Sequence, residues 1–237
     1  SFAFRDSCSL MRFFWAIGKL VKTLSIICFA SVSLAKDDVY IAVLDTVKGA
    51  LFRLQKNQDT WSRSRIDLPE NGSVRVTSSN PFHDTVLVNY EDFLTPDVLK
   101  AIDRTGTAQN IKSLPSRFDS DGVTVVQRFA KSKDGTEVPY FLIRGPLKKP
   151  GLSAPTLLYG YGGFEISLTP RYMASFGKLW LERGGAFVIA NIRGGGEFGP
   201  RWHSAAKKEN RQRAFDDFIA VGEDLITTGV TTSKQLG

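Results

Sequence analysis

Residues 155–164 read PTLLYGYGGF, a short apolar run that ends abruptly in glycines and aromatic residues. The run at 156–159 is apolar on both faces, which predicts a strand of a parallel sheet covered by helices. The three glycines that follow permit a sharp turn through backbone conformations that side chains disfavour. Because open α/β sheets bind ligands at the carboxyl ends of their strands, Tyr161 and Phe164 are candidate binding residues. A packed turn with core aromatic rings is the alternative.

A second unit of helix and strand follows this turn. Thr169 and Pro170 predict a helix start, with Thr169 as N-cap and Pro170 at the first helical position. A glycine pair at 184–185 predicts the end of that helix. Residues 186–192, AFVIANI, predict another buried strand, and RGGGEFG follows at 193–199. The order strand, helix, strand predicts a right-handed parallel crossover.

A further helix is predicted over residues 211–228, with Gly229 as its terminator. Its apolar residues recur at helical spacing; they are Phe215, Phe218, Ile219, Leu225 and Ile226.

Residues 39–118 carry short strand patterns separated by turn clusters such as Lys48-Gly49. This arrangement predicts an antiparallel meander. Four-stranded units of about 40–45 residues are propeller blades, of which the segment holds at most about two. A complete ring needs at least about four. The strands are predicted at 39–44, 50–54, 73–77 and 85–90, and a second domain begins after a linker at 115–121, with a hairpin turn at Asp134-Gly135.

Bulk composition excludes several classes of function. The 237 residues are 42% hydrophobic, enough for one or two domains with a core. The net charge of +7 comes from scattered lysines and arginines, and the one dense run, at 207–213, is interleaved with Glu209. A solvated helix face explains that run, so we expect no nucleic-acid partner. Cys8 and Cys28 are the only cysteines, which excludes a disulfide framework, a zinc site and a cysteine protease.

Residues 1–35 differ in composition from the rest of the chain and resemble a secretory signal. Their apolar run, at 24–29, is too short to span a membrane, which takes about 20 residues. The interpretation we favour is that the chain is already propeller strand from Ser31 onward and that an unrelated extension precedes it. This interpretation predicts a cytoplasmic protein, whereas a genuine signal would predict a periplasmic or secreted one.

Four motifs together identify a family resemblance. In order they are LLYGYGGFEISLTP, WLERGG, ANIRGGGEFGPRWH and ENRQRAFDDF. Their order and spacing resemble the catalytic domain of the prolyl oligopeptidase family of serine peptidases. Upstream, KSKDGTEVPYFLIR resembles the first strands of that domain, and DDVYIAVLDTVKGALFRL and VNYEDFLTP resemble its β-propeller. The resemblance implies the end of a propeller over 36–118 and the first half of an α/β-hydrolase domain over 119–237, with 1–35 outside it.

The resemblance also implies a chemistry: hydrolysis of short peptides, commonly after proline, by an activated serine without metal or organic cofactor. Tyr161 matches the tyrosine that donates its hydroxyl to the oxyanion, and Phe164 matches the phenylalanine that lines the pocket for the residue before the cleaved bond. The nucleophile of this fold sits in a Gly-x-Ser-x-Gly turn, and no serine here has that frame. We expect the turn just after Gly237, so this chain alone should be inactive.

The remaining candidates have competing interpretations. Arg193 and Glu197 are interpreted as structural ion-pair candidates, and the two histidines, His83 and His203, as structural or solvated residues. The glycines at 194, 196 and 199 match a dinucleotide-binding pattern, but the acidic residue it requires would fall inside a predicted helix. An inactive fragment or an interaction module is the non-enzyme alternative. The sequence leaves the oligomeric state open.

Overall fold

The computed structural model describes residues 27–57, 60–147, 151 and 153–237, with side chains from Ser31 onward. These residues divide into two units. The first holds the described residues up to Tyr90 together with Asp97–Ser113, and the second holds Glu91–Pro96 together with Leu114–Gly237. Most of the signal-like segment, residues 1–26, lies outside the described residues.

Two four-stranded sheets make up the first part of the chain, and consecutive strands lie side by side in each. The pairs β1–β2, β2–β3, β3–β4, β6–β7 and β7–β8 are antiparallel, which confirms the predicted meander. The strands are β1 Ile27–Leu34, β2 Asp38–Asp45, β3 Lys48–Asn57, β4 Thr60–Arg65, β5 Gly72–Ser78, β6 Val86–Asp92, β7 Val98–Ile102 and β8 Ala108–Ser113.

The first strand lies inside the range predicted as a leader. β1 pairs with β2 from Ile27 opposite Asp45 to Leu34 opposite Val39. The sheet therefore begins four residues upstream of Ser31, where the sequence interpretation placed its start. Residues 27–34 belong to the sheet and not to a separate segment.

The turn between β2 and β3 is not at Lys48-Gly49, as predicted, but two residues earlier. Thr46 and Val47 have left-handed φ angles of 49° and 70°. Gly49 is inside β3, and a Cβ atom on it would lie 2.7 Å from the backbone nitrogen of Val74 and 2.9 Å from the carbonyl oxygen of Gly72. This glycine thus serves close packing of two strands, which a turn signal cannot distinguish.

The sheet of the second unit has the strand order β11-β12-β10-β9. β11 and β12 are parallel, which confirms the predicted pairing, whereas β10 is antiparallel to both of its neighbours. The expected parallel core is therefore a mixed sheet in the described residues. Its strands are β9 Thr124–Lys131, β10 Glu137–Arg144, β11 Thr156–Gly160 and β12 Ala186–Ala190.

The helix between β11 and β12 starts later than predicted. It is α1, Ala174–Leu179, preceded by Met173 without a side-chain cap. Thr169 does not act as N-cap because the preceding backbone is held elsewhere: Leu168 donates its N–H to Glu197 Oε1 and accepts from Asn191 Nδ2. The other helices are α2, Pro200–Ser204, and α3, Gln212–Thr227, with 3₁₀ turns at Leu181–Arg183 and Lys208–Asn210.

Helix α3 has the predicted extent, but only part of its predicted apolar set is buried: Leu225 is fully buried and Phe218 packs against the core. Phe215 and Ile219 are 52% and 53% exposed. The buried positions include Ala214, Ala220 and Val221, and they join the core formed by β10 and β12. Small residues on this face let the helix approach the sheet closely, which a count of large apolar residues does not predict. Among the described residues no helix is long and apolar enough to cross a membrane.

Candidate active site

Two loops meet at one edge of the second sheet. The aromatic loop, residues 161–168, follows β11, and the glycine loop, residues 191–199, follows β12. The two strands are parallel, and their last residues, Gly160 and Ala190, are partners in the register. Both loops therefore leave the sheet at the carboxyl ends of neighbouring strands, where α/β sheets place their sites.

The two loops touch through their backbones. Gly162 and Gly194 have left-handed φ angles of 55° and 99°. A Cβ atom on Gly194 would lie 2.2 Å from the carbonyl oxygen of Gly162, and one on Gly196 would lie 2.2 Å from that of Glu165. Only glycine allows this approach. The backbone at 194–196 is buried against the aromatic loop, whereas a dinucleotide-binding loop exposes its glycine backbone to the phosphates.

The aromatic loop presents Tyr161 and Phe164 to solvent. Tyr161 is 39% exposed and Phe164 is 84% exposed. The Tyr161 hydroxyl makes no hydrogen bond to any residue that the structure describes, so it is free to donate to a ligand. Phe164 and Glu165 have left-handed φ angles of 52° and 58°, which side chains other than glycine adopt at a cost. The predicted site residues thus lie on one strained turn.

Two side chains from the segment after the glycine loop fasten this turn. The Arg211 guanidinium donates to the carbonyl oxygen of Gly162. His203 Nδ1 lies 2.6 Å from the Gly194 carbonyl oxygen and 3.1 Å from the Glu165 backbone nitrogen. The sequence singled out neither residue for this role. Both belong to the quoted motifs, but no spacing rule connects Arg211 with a glycine 49 positions away.

Glu197 is buried and is not an ion-pair partner. Its Oε1 accepts from the Leu168 N–H at 3.0 Å and from Asn191 Nδ2 at 3.3 Å. Its Oε2 has no hydrogen-bond partner, and no basic side chain of the described residues reaches the carboxyl. Burial raises the pKa of Glu197 above its ordinary value. The carboxyl therefore fastens the two loops through hydrogen bonds and does not act as a counter-charge.

Arg193 lies at the centre of a separate ion-pair network. Its Nη2 is 2.6 Å from Asp217 Oδ1, its Nε is 2.9 Å from Asp217 Oδ2, and its backbone N–H donates to the same carboxylate at 2.9 Å. Its Nη1 pairs with Asp134 at 2.5 Å. Asp217 raises the pKa of Arg193 above its usual value, and Arg193 lowers the pKa of Asp134 well below its own. The network connects the β9–β10 turn, the glycine loop and α3 through fixed charges.

Neither histidine has the surroundings of a catalytic base. His83 is exposed in a turn of the first unit, where its carbonyl oxygen accepts from the Lys36 N–H at 3.1 Å. His203 faces backbone groups rather than a serine hydroxyl. The part of the chain that the structure describes also contains no cluster of His, Cys, Asp and Glu that could hold a metal ion. The visible chemistry of this site is hydrogen-bond donation and an aromatic surface.

Comparisons with known proteins agree with this arrangement. The model of the prolyl oligopeptidase family matches residues 172–237. An uncharacterised peptidase of Sinorhizobium fredii is 46% identical over 210 residues, which are 88% of this chain and 29% of that protein. The chain belongs to the prolyl oligopeptidase family. A prolyl endopeptidase of Elizabethkingia meningoseptica is 34% identical over 72% of this chain and 24% of its own length.

Solved structures of the prolyl oligopeptidase family resemble the chain over nearly its full extent. A post-proline cleaving enzyme from Rickettsia typhi has a TM-score of 0.77 and 34% identity, over 90% of this chain and 31% of that one. Oligopeptidase B from Trypanosoma brucei has a TM-score of 0.77 and 25% identity, over 89% and 31%. The chain thus spans less than a third of the length of these relatives.

Proposed function

We propose that this chain supplies the oxyanion donor and a pocket wall of a serine peptidase that cleaves short peptides after proline. The observation that carries the proposal is the free, exposed hydroxyl of Tyr161, on a loop whose backbone is fastened at Gly162 by Arg211. A donor held in place before reaction can stabilise the negative charge that develops on a carbonyl oxygen. The partial α/β-hydrolase arrangement and the propeller upstream belong to the same proposal.

Phe164 supports the choice of proline as the preferred residue. Its ring is 84% exposed at the tip of the same turn, so a substrate can contact it. An aromatic ring offers a flat apolar surface that suits the pyrrolidine ring of proline. The solved Rickettsia typhi enzyme, 34% identical to this chain, is described as post-proline cleaving.

The test of the oxyanion role is Tyr161→Phe in the complete gene product. Loss of one such donor typically lowers kcat by about 10² to 10³ with little change in KM. Tyr159→Phe is the matched control, because Tyr159 is also exposed and lies on β11 just before the aromatic loop. A Tyr161→Phe enzyme with the kcat of the wild type would refute the role of this hydroxyl.

The test of the pocket role is Phe164→Ala, assayed on paired peptides with proline or alanine before the cleaved bond. The preference for proline should fall, because the proline substrate loses an aromatic contact that the alanine substrate barely uses. A contact of this kind contributes about 0.5–1.5 kcal/mol, or about two- to tenfold in kcat/KM. An equal loss on both peptides would contradict the assignment of Phe164 to the pocket.

The 237-residue chain alone should be inactive, because it contains no Gly-x-Ser-x-Gly turn. A fluorophosphonate that reacts with activated serines should leave it unlabelled, while it labels the complete gene product. Labelling of a serine in this chain would show that a nucleophile is present outside the expected frame. Failure to label both proteins would favour the interaction-module alternative.

A further inference from the structure

His203 makes contacts that its interpretation as a solvated residue does not explain. It lies in α2 and is half-buried. Its Nδ1 is 2.6 Å from the Gly194 carbonyl oxygen, and the Glu165 N–H points at the same nitrogen at 3.1 Å. The Glu165 N–H also points at the Gly194 carbonyl oxygen, at 3.3 Å. Three groups from three segments thus converge on one point.

The two contacts of Nδ1 make opposite demands on the ring hydrogen, because the Gly194 carbonyl needs a donor and the Glu165 N–H needs an acceptor. The shorter contact, to Gly194, weighs more in the choice between them. A nitrogen without hydrogen and a carbonyl oxygen are both acceptors, and at 2.6 Å they would repel each other. With a hydrogen on Nδ1, His203 donates to Gly194 and the short distance is favourable. The Glu165 N–H then uses the second lone pair of the same oxygen, since a carbonyl has two. The geometry therefore favours the Nδ1–H form of the ring.

The Gly194 carbonyl holds a turn that requires support. Phe164 and Glu165 are consecutive residues in the left-handed region, and each such residue costs on the order of 1–3 kcal/mol. The turn persists only if surrounding groups stabilise it. Ile166 donates to the Gly163 carbonyl at 3.0 Å within the turn. The Glu165 N–H to the Gly194 carbonyl connects the turn itself to the glycine loop, in addition to the bonds that Leu168 makes with Glu197 and Asn191.

We propose that His203 is a positioning residue: its Nδ1–H fixes the Gly194 carbonyl, which receives the Glu165 N–H and thereby sets the direction of the Phe164 ring. The positioning of the turn stands on these contacts alone. Its consequence for substrate preference rests on the proposed function. His203 touches no reacting atom in this account and acts only through the backbone of the aromatic loop.

Four variants distinguish hydrogen-bond donation by His203 from the effect of its side-chain volume. His203→Asn places an amide N–H near the position of Nδ1 and should retain the bond. His203→Asp places an acceptor of nearly the same size there and should repel the carbonyl, and His203→Phe keeps a ring without any donor. His83→Asp, at the exposed histidine of the first unit, controls for the loss of a histidine elsewhere.

The first readout is hydrogen exchange of the Glu165 amide in the 237-residue chain, followed by NMR with ¹⁵N-labelled glutamate. His203→Asn should exchange within about twofold of the wild type, and His203→Phe about five- to tenfold faster, as expected for the loss of one net hydrogen bond. Thermal unfolding checks that each variant is folded, and if His203→Asp is not, the ring ¹⁵N shifts of the second readout decide between donation and acceptance at Nδ1, because asparagine can do either. Equal exchange in the Asn and Phe variants overturns the proposal.

The second readout is the pair of ring ¹⁵N chemical shifts of His203, which distinguish the two neutral forms of imidazole. The proposal expects hydrogen on Nδ1. Hydrogen on Nε2 alone would make Nδ1 an acceptor and would overturn the assigned role of Gly194.

The third readout is the KM of the complete gene product for paired proline and alanine peptides. His203→Phe should raise KM for the proline peptide more than for the alanine peptide, and His203→Asn should restore the wild-type ratio. Changed amide exchange with an unchanged ratio would leave the turn positioned by His203 but would overturn its effect on substrate preference. If Tyr161→Phe also leaves kcat unchanged, the proposed function itself has failed, independently of the exchange result.

Discussion

Replacement of Asp217 by asparagine should destabilise the second unit far more than the same change at Asp134, although both carboxylates bind Arg193. Asp217 is fully buried and accepts the Arg193 backbone N–H, Nε and Nη2 at 2.9, 2.9 and 2.6 Å. The side chain of Asp134 is 43% exposed and reaches only the outer edge of the guanidinium. Each change therefore removes one negative charge that pairs with Arg193, one from a buried carboxylate and one from a partly exposed carboxylate.

The expected magnitudes follow from burial. The Arg193 side chain is 5% exposed, so without Asp217 a buried cation keeps only a solvent-facing partner. Removing one member of a buried ion pair costs about 3–5 kcal/mol in the free energy of unfolding. Water can replace much of the interaction at Asp134, so Asp134→Asn should cost about 1 kcal/mol or less. Asp216→Asn, one position away in α3 and paired only with Gln212, is the matched control.

Urea unfolding at pH 7 measures these differences through tryptophan fluorescence. Trp180 and Trp202 lie in the second unit and Trp61 in the first, so a Trp15→Phe, Trp61→Phe background restricts the signal to the second unit. The midpoint should fall in the order Asp216→Asn, Asp134→Asn, Asp217→Asn, with the largest gap before the last. If Asp217→Asn lowers the free energy of unfolding no more than Asp134→Asn does, burial of the carboxylate does not determine the strength of these ion pairs and the reasoning is refuted.

Three further results are expected from the same unfolding measurements. Burial raises the pKa of Glu197 above 4.5, so the unfolded chain releases a proton that the folded state retains, and the free energy of unfolding should fall as pH rises from 4.5 through the folded pKa. Glu197→Gln should lack that fall, and parallel pH profiles from 4.5 to 8 would contradict it. Gly194→Ala should lower the free energy of unfolding several times more than Gly229→Ala. Both glycines have a left-handed φ, but only a Cβ atom on Gly194 would collide with a carbonyl oxygen. Equal losses would show that backbone strain alone accounts for both and that the collision contributes nothing. Tyr140→Phe should cost about 1 kcal/mol through its hydrogen bond to Asp224, and an Asp224→Ala background, which leaves no acceptor for the tyrosine hydroxyl, should abolish most of that loss.

Three of the four strands that sequence patterns predicted, β2, β3 and β6, have alternating or continuous burial. β2 and β6 were predicted within two residues of their observed ends. β4, TWSRSR, and β8, AQNIKS, were missed because nearly every position is exposed. Both are the last strands of their sheets, and an edge strand needs only one partner and little apolar surface. β7, VLKAI, was also missed although it lies between β6 and β8, and the edge strand β5 was predicted. Edge position therefore explains the two exposed strands but not every strand that local composition misses.

In the candidate site, too, some residues could be predicted from the sequence and others could not. Tyr161 and Phe164 were predicted because they belong to one contiguous motif. The partners that hold their turn come from 38 and 49 positions further along the chain, as with His203 to Glu165 and Arg211 to Gly162. Arg193 and Glu197 were both predicted as ion-pair candidates, but only Arg193 forms ion pairs in the described residues, and its partners are Asp217 and Asp134. Such contacts depend on the path of the backbone, which a single sequence specifies only through the complete fold.

The glycines of the two loops explain why motifs so far apart belong together. A side chain on Gly194 would collide with Gly162, and one on Gly196 would collide with Glu165, so each loop constrains the other at the level of the backbone. This contact lets buried groups such as Glu197 determine the position of exposed ones such as Phe164. Under the proposed function, a change at the buried groups should alter substrate binding without any contact with substrate, whereas a change at Tyr161 should act on the reaction itself.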